Sequence, residues 1–481
     1  MSSVDLSKLK RIRSALPHPV IDADGHLVEF LPAVRDQLVD LAGEDMAGQL
    51  DSVFDAARLT RDLDADTRRG LGLFRMSWWA FPTANTMDRA AALMPGLMAE
   101  RLPEIGIDFA ILYPTFGLTV PHIDDPAFRQ AACRAFNRYY AETCAPHAHR
   151  LTPAAVIPMH SPQEAIEELN YAVNTLGLRA VTLAGYVARP LPGAGELRAA
   201  RWIDSFGPDD PEAYDAVWAH CQALGVTPTF HSSAMGWGSR VSQSSYVFNH
   251  IGNFATAGEA TCRSLFLAGV PQRFPDLRFA FLEGGVGWGA NLYADLVGHY
   301  EKRGGGSVSQ FDPANVDRTQ LSELLAKYGS PGLVRRQDRL DDALRLLSDP
   351  DEDPATLDEF RHCGLRGPED IRQVFAEQFF FGCEADDPMN AVAFDTALNP
   401  MGARLRALFS SDIGHWDVPD MQGVLLEAWE LVERDQLSEE DFRAFTFSNA
   451  ATLFGRSHPE FFAGTAVEAA VRAEVEGSSS A

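Results

Sequence analysis

The chain of 481 residues lacks a long apolar run, a surplus of positive charge and closely spaced cysteines. It has no stretch of about 20 consecutive apolar residues and no apolar core of a secretory signal, so we expect neither a membrane span nor export. Forty-one lysine and arginine residues stand against 67 aspartate and glutamate residues, which gives a net charge of −26. Because such an acidic surface repels phosphate, we expect no nucleic-acid partner.

Six cysteines are spread along the chain without a CxxC pair or a tight cluster. Disulfides are rare in reducing compartments, so this distribution predicts buried, reduced thiols in a cytoplasmic protein. The chain also lacks the GxSxG sequence of the α/β-hydrolase nucleophile, which argues against a serine hydrolase of that type.

Eight short apolar segments, each followed by a helical pattern, organise most of the chain. They are apolar throughout rather than alternating, as parallel strands buried on both faces must be. The predicted strands are 20–24, 107–113, 151–158, 179–183, 226–230, 277–282, 378–382 and 407–411. Eight such units predict an α/β fold of the (β/α)8 TIM-barrel type. An open doubly wound sheet is the alternative, but no glycine-rich phosphate loop follows the first strand.

Two segments are longer than a minimal barrel requires, namely 31–100 after the first strand and 301–377 between the sixth and seventh strands. Long insertions of this kind commonly form lids or subunit contacts. We expect an N-terminal segment (1–18), one barrel domain (19–464) with both insertions, and a C-terminal tail (465–481). We also expect a homo- or hetero-oligomer, and a loop with Pro190 and Pro192 after the fourth strand.

Side chains that can bind metal follow five of the predicted strands. They are Asp22, Asp24, His26 and Glu29 at the end of the first strand and just beyond it, His231 after the fifth, Glu283 after the sixth, Glu384 after the seventh, and Asp412, His415 and Asp417 after the eighth. Because barrel active sites are built at the carboxyl ends of the strands, these side chains would converge on one mouth. One strand-end carboxylate commonly caps a helix, but this number on one barrel predicts a divalent-metal site.

Other side chains are candidates for binding a small-molecule substrate. Trp78 and Trp79 belong to an aromatic cluster that would form an apolar lid or simply pack the first insertion against the barrel. Tyr113 ends the second strand and would line the pocket. Arg240 lies in the loop after His231, where it would bind a substrate carboxylate or form a surface ion pair.

Four features of the sequence resemble the amidohydrolase-related family: Asp24-Gly25-His26, His231, the segment FPDLRFAFLEGGVGW and the segment SSDIGHWD. This branch of the amidohydrolase superfamily includes aminocarboxymuconate-semialdehyde decarboxylase and the resorcylate decarboxylases. The resemblance extends from residue 20 to about residue 453, apart from the two insertions. It implies a (β/α)8 barrel with a divalent metal at its mouth, and hydrolysis or nonoxidative decarboxylation as the usual activity.

By this resemblance, the family's metal ligands fall on Asp24, His26, His231 and Asp412. Glu283 stands where the wider superfamily often has a histidine, and the fourth strand lacks the lysine that would bridge two metals as a carbamate. The resulting set is rich in oxygen donors, which favours iron or manganese over zinc. It also exceeds the ligands that one ion needs, so we expect two ions bridged by carboxylates.

Two hypotheses for the activity follow, and the surplus of carboxylates favours the first. In the first, dioxygen is activated at a non-haem di-iron centre, as in a monooxygenase, to hydroxylate a small organic acid or related metabolite. The residues that would hold this centre are Asp24, His26, His231, Glu283, Asp412 and His415, with Glu283 and Asp412 as the catalytic residues. In the second, a divalent ion (manganese or zinc are candidates) activates water for hydrolysis or polarises a carboxylate for decarboxylation, with Asp412 as general base. A third possibility is a metal-binding barrel subunit that supports a catalytic partner.

Overall fold

The computed structural model describes residues 4–77, 84–193, 200–207, 209–231, 241–346, 349, 351–353 and 356–478. Its strands are β1 (Ile21–Leu27), β2 (Phe109–Pro114), β3 (Leu151–Ile157), β4 (Ala180–Leu183), β5 (Val187–Pro190), β6 (Arg201–Asp204), β7 (Pro228–Phe230), β8 (Phe279–Phe281), β9 (Phe379–Cys383) and β10 (Arg406–Phe409). Eight of them form one parallel sheet in the order β1-β2-β3-β4-β7-β8-β9-β10. This arrangement confirms the predicted (β/α)8 barrel.

Helices cover the outside of the barrel and make up most of the insertions. They are α1 (Leu6–Ala15), α2 (Leu31–Ala42), α3 (Glu44–Asp62), α4 (Ala65–Gly70), α5 (Thr86–Leu93), α6 (Pro95–Ile105), α7 (Pro126–Cys144), α8 (Pro162–Asn170), α9 (Asp215–Leu224), α10 (Tyr246–His250), α11 (Asn253–Leu267), α12 (Val270–Arg273), α13 (Gly287–Arg303), α14 (Arg318–Tyr328), α15 (Pro331–Val334), α16 (Leu340–Leu344), α17 (Pro368–Glu377), α18 (Val424–Glu433), α19 (Glu439–Arg443), α20 (Asn449–Ser457) and α21 (Glu468–Ser478). Helices α2–α5 and the first half of α6 lie in the first insertion, and α14–α17 lie in the second.

The interior of the barrel is filled by small and aromatic side chains that point inward from the strands. These side chains form one buried cluster with apolar residues of the C-terminal segment. Phe447 and Phe454 from the C-terminal segment, together with Phe461 and Phe462, pack into this cluster. Burial of each such ring stabilises the fold by about 1.5–3 kcal/mol.

The barrel closes between β10 and β1 through the residues that follow β10. The backbone N–H of Asp412 donates to the carbonyl of Asp24 at 3.0 Å, and the N–H of His26 donates to the carbonyl of Ile413 at 2.8 Å. Closure of the barrel therefore brings candidate ligands from the first and the last strand into direct contact.

Asp22, which is fully buried, reinforces this closure. Its carboxylate accepts hydrogen bonds from the Ser411 backbone N–H at 2.9 Å and from the Ser411 hydroxyl at 2.5 Å. Gly25 lies at the same contact, where a Cβ atom would come within 2.7 Å of Asp22 Oδ2 and 3.0 Å of Ile413. A side chain at position 25 would thus push the two strands apart.

The predicted loop after β4 is wrong in part, because β5 and β6 form an antiparallel hairpin there. Val187 lies opposite Asp204, and Pro190 lies opposite Arg201 at the end of the pairing. A proline is tolerated at such an edge position, since no ladder hydrogen bond needs its missing N–H. The hairpin is short and mostly not buried, so it lacks the continuous apolar pattern that marks the barrel strands.

All six cysteines are buried and free, as the sequence predicts. In the part of the chain that the structure describes, no helix has both the length and the apolar character that crossing a bilayer requires.

Candidate metal centre

The six predicted metal ligands lie together, buried, at the carboxyl end of the barrel strands. They are Asp24, His26, His231, Glu283, Asp412 and His415. Their ligand atoms form two groups that share His26, one with Asp24 and His231 and the other with Glu283, Asp412 and His415. Within each group, all ligand atoms lie within 4.8 Å of one another. The barrel therefore assembles the predicted set from four different strand ends.

The orientation of His26 suits a metal ligand. Its Nδ1 lies 3.1 Å from the carbonyl of Pro114, which can only accept a hydrogen bond, so Nδ1 carries the proton and Nε2 has a free electron pair. Nε2 lies 3.1 Å from His231 Nε2 and 3.2 Å from Asp412 Oδ1. Two nitrogens bound to one tetrahedral ion at the usual metal–nitrogen distance would be about 3.3 Å apart. The spacing of the two imidazoles is close to that value.

Carboxylate oxygens of this cluster are buried without the hydrogen bonds that such atoms normally have. Asp24 Oδ1, Glu283 Oε2 and both oxygens of Asp412 accept none from the residues that the structure describes. Glu283 Oε2 instead lies 2.8 Å from His231 Nε2. Because a buried polar atom without a partner is costly, this donor set fits a cation placed among the carboxylates and imidazoles.

The pKa shifts in the cluster have the same physical cause. Burial raises the pKa values of Asp24, Glu283 and Asp412 well above the usual range for carboxyl groups. Burial also lowers the pKa of His26 well below its usual value, and that of His415 to about 3. Burial thus keeps the imidazoles neutral and disfavours the ionised form of the carboxyl groups. A divalent cation among them would stabilise the carboxylate form and bind the neutral imidazoles.

Two of the candidate ligands have a strained backbone. Glu283 has a φ of 54° and Asp412 a φ of 53°, in the left-handed region that side chains other than glycine rarely adopt. Such residues cost about 1–3 kcal/mol each and are concentrated at functional sites, where the surrounding structure holds them in place. The strain directs both carboxylates into the cluster at the points where β8 and β10 end.

Glu29 does not join the ligand cluster. Its carboxylate accepts hydrogen bonds from the backbone N–H groups of Thr115 at 3.2 Å and Phe116 at 2.8 Å, and from the Tyr140 hydroxyl at 2.6 Å. Thr115 in turn lies with its hydroxyl 3.0 Å from His415 Nε2. Glu29 therefore fixes the loop after β2, which helps to orient His415.

A cavity of about 340 Å³ opens beside Glu283. Its wall includes Glu384, Asp387, Asp417 and His250, and none of its described lining residues is a lysine or an arginine. Burial raises the pKa of Glu384 to about 7 and that of Asp417 to about 8. The sequence gives no sign of His250, because it lies on α10 rather than at a strand end.

Of the four predicted substrate-binding residues, the structure describes only Tyr113. Trp78, Trp79 and Arg240 lie outside the described residues. Tyr113 is fully buried inside the barrel, where its hydroxyl donates to Thr229 Oγ1 at 3.0 Å. Tyr113 is not among the residues that line the cavity, and its role in substrate binding stays a prediction.

Known proteins that resemble this chain have the same barrel. A family model described as amidohydrolase matches residues 21–330. An amidohydrolase from Mycobacterium avium subsp. paratuberculosis shares 18% identity with a TM-score of 0.50, over 92% of this chain and 100% of that chain. A 5-carboxyvanillate decarboxylase from Sphingomonas paucimobilis shares 14% identity with a TM-score of 0.50, over 91% and 98%.

A dihydroxybenzoic acid decarboxylase from Polaromonas sp. JS666, solved with bound manganese and the inhibitor 2-nitroresorcinol, shares 17% identity with a TM-score of 0.47. That alignment covers 92% of this chain and 99% of the other. No curated protein sequence matches the chain. At these identities the likeness to solved structures concerns the fold alone.

Proposed function

The chain belongs to the amidohydrolase family of metal-dependent barrel enzymes, and from this membership we propose that it hydrolyses a small amide, ester or lactone with a divalent metal ion. One observation carries the proposal. Buried carboxylate oxygens without hydrogen-bond partners face neutral imidazoles at the barrel mouth, beside a cavity that a small molecule can enter. This donor set fits a metal ion, and Glu283 belongs both to the ligand cluster and to the wall of the cavity in which a substrate would bind.

In this proposal, Asp24, His26, His231 and Asp412 hold the ion. When bound, a divalent ion lowers the pKa of water and polarises a carbonyl group, which hydrolysis at neutral pH requires. Asp412 Oδ2 accepts no hydrogen bond from the described residues, so it is available to take a proton from the attacking water. Asp412 would then return this proton to the leaving group.

The acidic cavity favours a neutral or cationic substrate over an anionic one. Glu384, Asp387 and Asp417 line it, and no described lining residue is a lysine or an arginine. Where one of these carboxyl groups is ionised, a negative charge about 4 Å from it would be repelled by about 4 kcal/mol at the effective dielectric of a protein surface. Hydrolysis of an uncharged carbonyl compound meets no such penalty.

A second candidate is nonoxidative decarboxylation of a small carboxylic acid. It is suggested by decarboxylases among the solved relatives, such as the 5-carboxyvanillate decarboxylase. The metal ion would have to offset the repulsion between the substrate carboxylate and the acidic wall.

The di-iron hydroxylase that the surplus of carboxylates predicts receives less support. Matching proteins are described as amidohydrolases and decarboxylases, so activation of water or of a carboxylate is better supported than activation of dioxygen. The number of ions stays a prediction. With Asp24, His26, His231 and Asp412 bound to one ion, Glu283 and His415 remain for a second one.

The test uses metal-free protein that is reconstituted separately with manganese, zinc or anaerobic ferrous iron. Each form is assayed with amides, esters, lactones and hydroxybenzoic acids in water enriched in oxygen-18, while acid release, carbon dioxide release and dioxygen consumption are recorded. We expect metal-dependent acid release with one oxygen-18 atom in the product. Release of carbon dioxide with no oxygen-18 in the organic product would establish the second candidate, and dioxygen consumption coupled to product would overturn both.

Two variants complete this test. Asp412→Asn should lower turnover by about 10²–10⁴-fold, the usual contribution of a general acid–base group. Asp66→Asn is the matched control, because the side chain of Asp66 is 90% exposed. Full activity of the Asp412 variant would contradict the assigned role.

A further inference from the structure

Residues 318–346, here called the arm, form a helical projection within the second insertion. The arm contains α14, α15 and α16, and the structure describes it without a gap. None of its residues is buried. None of its apolar side chains belongs to the main hydrophobic core or packs against it.

Several polar contacts of the arm join its own residues, and Arg345 near its end pairs with Asp349 and Asp351 just beyond it. Arg318 pairs with Asp341 at 2.8 Å, and the Gln337 side chain donates to the Ser322 carbonyl at 3.0 Å. These contacts hold the arm helices to one another. Leu321, Leu325 and Leu340 are partly buried, and other apolar side chains of the arm stay exposed. The exposed apolar side chains are Leu324 (46%), Tyr328 (72%), Leu333 (56%), Val334 (38%) and Leu346 (88%).

Helices as short as these are marginal in isolation. A helix gains most of its stability from burial of an apolar face, and an isolated helix shorter than about 12–15 residues is barely stable in water. Helix α14 has 11 residues and buries none of them. Exposed apolar side chains concentrated in one segment are typical of an interaction surface. The arm therefore has the composition of an interaction element.

The charge of the arm indicates which partner fits. The arm carries six lysine and arginine residues against four aspartate and glutamate residues, whereas the whole chain carries a net charge of −26. A basic, apolar arm is thus complementary to the acidic body of another copy of the same chain. Glu439 and Glu440 are examples of exposed acidic residues on that body.

The size of the arm also fits a stable subunit contact. Stable interfaces engage about 20–30 residues on each side, and the arm spans positions 318–346. Two-fold dimers are the commonest oligomers, and in such a dimer each arm would pack on the other subunit. We propose that the arm is a dimerisation element that packs against the acidic surface of a second copy of this chain.

The first test measures molar mass by light scattering and sedimentation over a range of micromolar concentrations. The wild-type chain should be dimeric, and Leu324→Asp with Leu333→Asp should raise the dimer dissociation constant by about tenfold or more. Arg335→Glu with Arg336→Glu should weaken the dimer through charge reversal. Leu398→Asp is the matched control, because Leu398 is 65% exposed outside the arm. Circular dichroism checks that every variant is folded.

A second measurement identifies the surface that the arm contacts. Carbodiimide joins Lys327, the arm's single lysine, to carboxylates within reach. In a mixture of ¹⁴N- and ¹⁵N-labelled chains, we expect cross-links from Lys327 to acidic residues of the differently labelled copy. A monomeric wild-type chain would overturn the proposal. A dimer that the arm variants leave intact, with no intermolecular cross-link from Lys327, would overturn it as well.

Discussion

Replacement of Glu29 tests whether this residue positions the loop after β2 or binds the metal ion. The sequence places this carboxylate beside Asp24 and His26, but four donors from elsewhere point at it. They are the backbone N–H groups of Thr115, Phe116 and Gly117 and the hydroxyl of Tyr140. Glu29→Gln puts an amide nitrogen where one oxygen accepts, so at least one buried donor loses its partner. Such a loss costs about 1–3 kcal/mol.

The corresponding change in melting temperature is small but measurable. With an unfolding entropy of about 2.1 cal/mol/K per residue, a loss of about 2 kcal/mol lowers the melting temperature of a chain this long by about 2 °C. Glu29→Ala removes all four acceptor contacts, and we expect a loss of about 4–5 kcal/mol, or about 4–5 °C. Metal content should stay unchanged in both variants, because Glu29 belongs to neither ligand group.

Thermal unfolding of the metal-loaded and metal-free forms, with metal analysis of each, tests this expectation. Glu142→Gln is the control, because Glu142 is an exposed residue that hydrogen-bonds only Gln37 among the described contacts. Its substitution should change the free energy of unfolding by less than about 0.5 kcal/mol. If Glu29→Gln loses metal while the metal-free form melts like the wild type, Glu29 is a ligand and our interpretation of its hydrogen bonds is wrong.

Three further predictions concern the carboxylates. Metal affinity should rise with pH by about tenfold per unit for each proton released. The raised pKa values of Asp24, Glu283 and Asp412 mean that protons must leave before metal binds. Chelator competition that gives equal affinities at pH 6 and pH 8 would contradict this. Glu283→Gln should keep the fold but weaken metal binding by about tenfold or more, because its Oε2 lies 2.8 Å from His231 Nε2; equal metal retention after dialysis would count against it. Burial raises the pKa of Glu168 to about 7 from its ordinary value of 4.5, so the stability that its proton confers below pH 4.5 is lost as the pH rises through 7, by about 3 kcal/mol in all. Glu168→Gln should flatten the melting-temperature profile over this range, and an unchanged slope would refute the assignment.

The barrel could be predicted because strands buried on both faces have a composition of their own. The apolar segments 378–382 and 407–411 correspond closely to Phe379–Cys383 and Arg406–Phe409. The β5–β6 hairpin could not be predicted in the same way, since its residues are mostly uncovered and Pro190 indicates a loop. A continuous apolar segment therefore indicates a strand that is buried on both faces, and an exposed strand leaves no such segment in the sequence.

The candidate-site residues that stand at the ends of strands could be predicted from the sequence. His231 and Glu283 directly follow the apolar segments, so the barrel topology alone brings them together. Glu29 and Asp24 are both carboxylates near the end of the first strand, so the sequence does not distinguish their roles. Only the hydrogen bonds of Glu29 show that it holds the loop after β2. His250 reaches the cavity from α10, and no local pattern in the sequence indicates that contact.

Anomalous X-ray diffraction from crystals loaded with manganese or zinc tests the proposed metal centre most directly. Data collected on either side of the metal absorption edge should show a peak at the carboxyl end of the barrel, bounded by Asp24, His26, His231 and Asp412. Ligand atoms should lie about 2.0–2.3 Å from it. An active, metal-loaded protein whose anomalous peak lies away from these four residues would contradict the account.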